Sequence, residues 1–134
     1  MIKNEQEIIE TAKKAKKEKK IRKQIASRTK ELLTYYSSAD KDKIDAYRSL
    51  IEHLAFIDIM LVEFRENILT TGLYVEYQNG KNQSGIKKND SVDLFKKWYS
   101  DRLTDSERVE RLLGVEVESG SNELEEFLSR RKTR

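Results

Sequence analysis

The sequence predicts an all-α protein, a long helical, hairpin-like protomer with a short extended loop or hairpin near residues 73–89, assembling with copies of itself into a ring. Three observations carry this. The 134-residue chain has no proline and five glycines, so little punctuates its helices. Its first quarter is built of Lys, Glu, Ala and Gln, all good helix formers. Charged residues (38%) outnumber hydrophobic ones (37%), and the apolar residues gather in one central stretch, which points to a core completed between protomers.

Residues 1–36 form the first unit, a basic N-terminal helical arm. A helix is predicted from about Glu5 to Tyr36, with Ile8, Ala12, Ala15, Ile21, Ile25 and Leu32 as a thin apolar stripe. Between Lys13 and Lys20 the only apolar residue is Ala15, so this stretch is expected outside any core and ordered by something anionic laid along it.

Residues 37–114 form the second unit, a helical oligomerisation core. Ser37-Ser38-Ala39-Asp40 supplies N-cap candidates, and a helix is predicted from about Ala39 to Thr71, stopped by Gly72. Within it Ile44, Tyr47, Ile51, Leu54, Leu61 and Ile68 recur at a–d spacing, and Leu50, Ile57, Met60 and Phe64 form a second stripe beside the first. So wide an apolar arc is buried on several sides. One protomer is expected to have too few other helices to cover it, which makes Ile44, Tyr47, Ile51, Leu54, Ile57, Leu61, Phe64 and Ile68 the expected oligomerisation contacts.

The alternation in Leu73-Tyr74-Val75-Glu76-Tyr77, followed by Asn79-Gly80, predicts an extended segment with a turn. Asn89-Asp90-Ser91 then caps a helix to about Leu103 that carries Val92, Leu94, Phe95, Trp98 and Tyr99 inward. Thr104 and Glu107, at capping-box spacing, predict a separate short helix to Leu113 before Gly114. Residues 115–134 read as a linker and C-terminal tail. Val115–Asn122 is the linker, and Glu123–Arg130 is a short amphipathic helix with Leu124, Phe127 and Leu128 exposed for a partner.

Charge is distributed unevenly. Residues 1–36 hold eleven basic side chains against five acids, whereas residues 37–72 hold four against seven. One end is therefore a polyanion-seeking arm on a near-neutral body. The chain has one histidine, His53, and no cysteine, so neither a His/Cys metal site nor a disulfide framework is expected. His53 sits mid-helix between Glu52 and Leu54, a poor setting for a catalytic base. There is no phosphate-binding glycine loop and no dinucleotide fingerprint. The expectation is a binding protein without an active site, cofactor or metal. The N-terminus lacks the apolar region of a secretory signal, and the longest apolar run, Phe56 to Val62, is interrupted by Asp58 and falls far short of a membrane span of about 20 residues. A cytoplasmic location and no membrane partner are expected.

Two segments stand out as candidate DNA contacts. The first carries Lys13, Lys14, Lys16, Lys17, Lys19, Lys20, Arg22 and Lys23. It is either a helix kept in solution by its lysines or a phosphate-contacting arm. The second runs from Asn79 to Ser91. Turn formation explains Asn79-Gly80 and Asn89-Asp90-Ser91, but it explains Gln83, Ser84, Lys87 and Lys88 less well.

The order of elements around this second segment resembles a known family. A helix, Gly72-Leu73-Tyr74-Val75, the Asn-Gly turn, Gln83-Ser84-Gly85 and Lys87-Lys88-Asn89-Asp90-Ser91 before a helix resemble the small terminase subunits of tailed phages of Gram-positive hosts. Leu103-Thr104-Asp105-Ser106-Glu107-Arg108 resembles the family's closing Leu-Thr-Pro-x-x-Arg element. The resemblance covers about Asp40 to Leu113. Asp90 and Asp105 stand where many members have proline; both residue types suit helix starts. The resemblance implies a ring that recognises the packaging site on viral double-stranded DNA and hands it to the large ATPase and nuclease subunit. It does not say which residues touch DNA. Leu124, Phe127 and Leu128 are the expected contacts with the large subunit. The alternatives are a helical, repressor-like DNA-binding protein without a packaging partner, and a structural coiled-coil adaptor.

Overall fold

A computed structural model describes residues 4–115 and 120–130. Among these residues the chain is mostly helical, with one two-stranded antiparallel sheet. Helix α1 spans Glu5–Tyr35 and starts at Asn4, whose side-chain oxygen accepts a hydrogen bond from the Glu7 amide at 2.8 Å. It is helical straight through the lysine-rich stretch. Helices α2 (Lys41–Ala46) and α3 (Arg48–Thr71) follow, then strands β1 (Tyr74–Gln78) and β2 (Ser84–Lys88), then α4 (Asp90–Leu113) and α5 (Gly120–Arg130).

Cross-helix pairs fix the layout. Lys17 meets Glu63 and Arg28 meets Asp58, so α1 and α3 are antiparallel. Asp58 also meets Arg102, His53 lies near Asp105, and Phe64 packs on Trp98, so α4 is antiparallel to α3. The core has two parts. One gathers Leu32, Tyr36, Ile51, Leu54, Ala55, Val109 and Leu113. The other gathers Ile57, Ile59, Leu61, Val62, Leu124, Phe127 and Leu128.

Four expectations need correction. The helix expected from Ala39 to Thr71 breaks at Tyr47, whose φ of −107° and ψ of 16° leave the helical range. No glycine or proline marks the break. Ile44 before it and Tyr47 at it pack against the first core cluster. The two helices expected across 90–113 are one. Arg102, Ser106, Val109 and Leu113 are its buried residues, a continuous i, i+4, i+7, i+11 face along α3. Thr104 does not cap a new helix; its hydroxyl donates to the Ser100 carbonyl four residues back.

The third correction concerns the tail. Leu124, Phe127 and Leu128 are not an exposed face, being 0%, 0% and 5% accessible inside the second core cluster. The fourth follows from it. Helices α1, α4 and α5 together cover the wide arc of α3, so Ile51, Leu54, Ile57 and Leu61 are already buried within one protomer. Ile44, Tyr47, Phe64 and Ile68 are half-buried. The protomer had more covering surface than the sequence suggested, because α4 runs as one 24-residue helix where two shorter ones were expected and α5 folds back onto the bundle.

At the centre lies an ionic network. Asp58, fully buried, accepts from Arg28 Nε at 2.8 Å and from Arg102 Nε at 2.6 Å and Nη2 at 3.1 Å. Both guanidiniums reach on to Glu123 of α5, and Arg28 stacks its guanidinium 4.0 Å from the Phe127 ring centre. Two cations and two anions thus tie α1, α3, α4 and α5 together at one point. Such a cluster survives burial only because each charge is paired and hydrogen-bonded. On its rim, burial raises the Glu31 carboxyl, but hydrogen bonding by Arg28 and the charge of Arg130 outweigh it and hold the group below its ordinary value. Burial, helped by Glu110, pushes the Tyr36 phenol well above its usual range.

Candidate nucleic-acid interface

The antiparallel layout brings the N-terminus of α1, the C-terminus of α3, the hairpin and the N-terminus of α4 to one end of the bundle. The two segments singled out as candidate DNA contacts therefore share that end. Sequence order gave no hint of this.

The arm is an exposed helix. Every residue from 4 to 20 is exposed, and the first partly covered side chain is Ile21, which packs against the second core cluster. The stretch before Lys17 extends the helix by about 18 Å at 1.5 Å per residue. Lys13, Lys14, Lys16, Lys17, Lys19, Lys20, Arg22 and Lys23 are all exposed. Of these eight, Lys17 makes the only ion pair among the described residues, at 3.4 Å from Glu63. Lys13, Lys16, Lys17, Lys20 and Gln24 are among the residues that line an open groove, with Glu63 of α3 also in its lining. Positive charge is carried here by groups with few internal acids to neutralise it.

The hairpin differs. Lys87 Nζ lies 3.7 Å from Asp90, and Lys88 Nζ lies 2.8 Å from Asp93. The Lys88 hydrogen bond and charge hold the Asp93 carboxyl below its ordinary value. These two lysines are thus paired at the start of α4, whereas Gln83 is exposed near the tip. The Asn-Gly turn is looser than a two-residue turn. Asn79 donates its amide to the Gln83 carbonyl, which leaves Gly80, Lys81 and Asn82 as the loop.

The hairpin is held at its base by residues whose part the sequence reading did not show. Asn89, 6% accessible, donates from Nδ2 to Asn67 Oδ1 and to the Gly72 carbonyl, both at 2.9 Å. Its own Oδ1 accepts from the Ser91 amide at 3.0 Å and so caps α4. The Asn89 amide donates to the Leu73 carbonyl, and the Ser91 hydroxyl donates to Asn67. Gly72, at φ 99° and ψ 175°, turns the chain from α3 into β1 in a region essentially restricted to glycine. Asn89-Asp90-Ser91 was legible as a cap; Asn67, twenty-two residues earlier on α3, carries no local signal. Asp58 did carry one, as the lone charge in the apolar run Phe56 to Val62, but nothing in the sequence named Arg28 and Arg102 as its partners.

The resulting class is a mostly helical bundle with a projecting cationic helix and a projecting hairpin at the same end. Comparison with protein-family models, with curated proteins and with solved structures finds no match. Among the described residues no helix is long and apolar enough to cross a membrane.

Proposed function

We propose that this chain is a duplex-DNA-binding subunit with the role of a small terminase subunit, binding viral DNA at the packaging site and passing it to a large ATPase and nuclease subunit. The observation that carries DNA binding is the exposed arm of α1, where seven lysines and Arg22 lie within eleven residues and Glu18 is the only acid. The terminase role rests on the resemblance of residues 40–113. With the most apolar positions of α3 closed inside the protomer, ring assembly in this reading uses what remains on its surface: Phe56 and Leu94, both exposed, with half-buried Phe64 and Trp98 beside them.

Lysines on every side of a helix track phosphates without choosing bases, so the arm supplies affinity more than sequence preference. Each phosphate neutralised releases counterions, and log K falls with log salt at a slope of about −0.9 per phosphate. Replacing Lys16, Lys17, Lys19 and Lys20 by glutamine is expected to flatten that slope and weaken binding to all duplexes alike. Titration of a duplex of arbitrary sequence over a series of salt concentrations measures it. An unchanged slope would make the arm a solubility feature.

A further inference from the structure

We propose that the β1–β2 hairpin is a two-stranded ribbon that enters the major groove of duplex DNA and reads base edges with the face bearing Glu76, Gln78, Ser84 and Ile86. The inference rests on the DNA-binding reading above and assigns sequence recognition to a different element from the arm.

The hairpin stands clear of the bundle. Tyr74 is 66% and Ile86 71% accessible, and no core cluster includes a residue of either strand. A lone two-stranded hairpin is marginally stable in water. Here the Tyr77 ring lies over Gly85, its partner in the register, so close that an added Cβ would sit 3.1 Å from it. Its base, in contrast, is fixed by the buried Asn89 and by Asn67, Gly72 and Ser91. A ribbon anchored at its root and bare beyond it is oriented for something outside the protomer.

The chemistry of the bare face favours DNA over a second copy. Pairing places Glu76 opposite Ile86, Gln78 opposite Ser84 and Tyr74 opposite Lys88, all on one face. Packing of sheet on sheet calls for an apolar inner face, and four of these six side chains are polar. The major groove, about 12 Å wide, admits a two-stranded ribbon. There glutamine pairs with adenine, glutamate accepts from the cytosine amino group, serine bonds to either, and an apolar side chain meets the thymine methyl. Lys81 in the tip loop is exposed and suits a flanking phosphate. The arm projects from the same end, so one duplex can be held by the lysines and read by the ribbon.

The test uses the full chain and a duplex library with a randomised core. After selection, an enriched duplex and its scrambled counterpart are titrated against the wild type and against Gln78→Ala/Ile86→Ala. Both substituted side chains are exposed, so helix content by circular dichroism stays unchanged. The wild type is expected to prefer the enriched duplex, and the double variant to lose about tenfold of that preference while binding the scrambled duplex as before. Replacing the purines of the enriched duplex by 7-deaza analogues, which lack the major-groove N7 acceptor, is expected to reduce the wild-type preference too. Three results would overturn the proposal: selection without enrichment, a double variant that keeps the preference, or a double variant that loses self-association in light scattering while its preference stands, which gives the face to a second copy. A wild type that binds no duplex even at low salt refutes the DNA-binding reading and this inference together. Binding without preference refutes this inference alone.

Discussion

Replacing Asp58 by asparagine keeps the shape of a fully buried side chain and removes its charge. Asp58 accepts three hydrogen bonds from two guanidiniums that are themselves about 1% accessible. In the variant one carboxylate oxygen is replaced by an NH2 group that faces those donors, and Glu123, with the partly exposed Glu31 beside Arg28, is left to balance the two guanidiniums. Arg102 Nη1 already has no hydrogen-bond partner among the described residues, so there is no reserve acceptor for it. Removing one partner of a buried ion pair costs about 3–5 kcal/mol. A domain of this size is stable by about 5–15 kcal/mol, so the loss is a large share of the whole. At roughly 3–5 °C per kcal/mol, the midpoint of thermal unfolding is expected to fall by about 10–20 °C. Circular dichroism at 222 nm and urea unfolding measure it independently. A companion variant replaces the four central charges with neutral groups, Arg28→Met, Asp58→Leu, Arg102→Met and Glu123→Gln, and is expected to recover most of the loss, because it leaves no guanidinium buried without its carboxylate. A loss below about 1 kcal/mol for Asp58→Asn would refute the view that the network is dry and tightly coupled.

Two further outcomes follow from the packing. Phe127→Ala empties a fully buried site in the second core cluster and removes the ring under Arg28, and is expected to cost about 3–5 kcal/mol in denaturant unfolding; unchanged stability would restore α5 as a separately docking tail. Glu110 has its carboxyl pKa raised by burial and then by Glu107 and Glu123, against the opposing charge of Arg102, and its Oε2 is buried with no hydrogen-bond partner among the described residues. A raised carboxyl pKa gives stability that is full below the unfolded value and is lost as pH rises through the folded one. Glu110→Gln is therefore expected to unfold at a higher temperature than the wild type at pH 7, with the difference vanishing below the ordinary carboxylate range; a difference that does not change with pH would rule out titration as its cause.

The sequence by itself determined what depends on near neighbours. Helix formers without glycine or proline set α1 from Glu5, Gly72 ended α3, and Asn89 capped α4, because each of these signals acts within one or two turns. The lysine run also stood apart from the core in sequence, since Ala15 is its only apolar residue up to Lys20. Tertiary structure decided the rest. Thr104 and Glu107 had the spacing of a cap, yet α4 continues through them, because the buried face from Arg102 to Leu113 stabilises one long helix more than a local cap stabilises two. The apolar arc of α3 looked like an interface between protomers and became the protomer's own core once α5 brought Leu124, Phe127 and Leu128 onto it. Periodicity tells which face of a helix is buried, but not whether the cover comes from the same chain. Likewise, the meeting of Arg28, Asp58, Arg102 and Glu123, and the gathering of arm and hairpin at one end, join residues far apart in the chain. Such pairings are selected by the free energy of the packed whole, which no local stretch of sequence encodes.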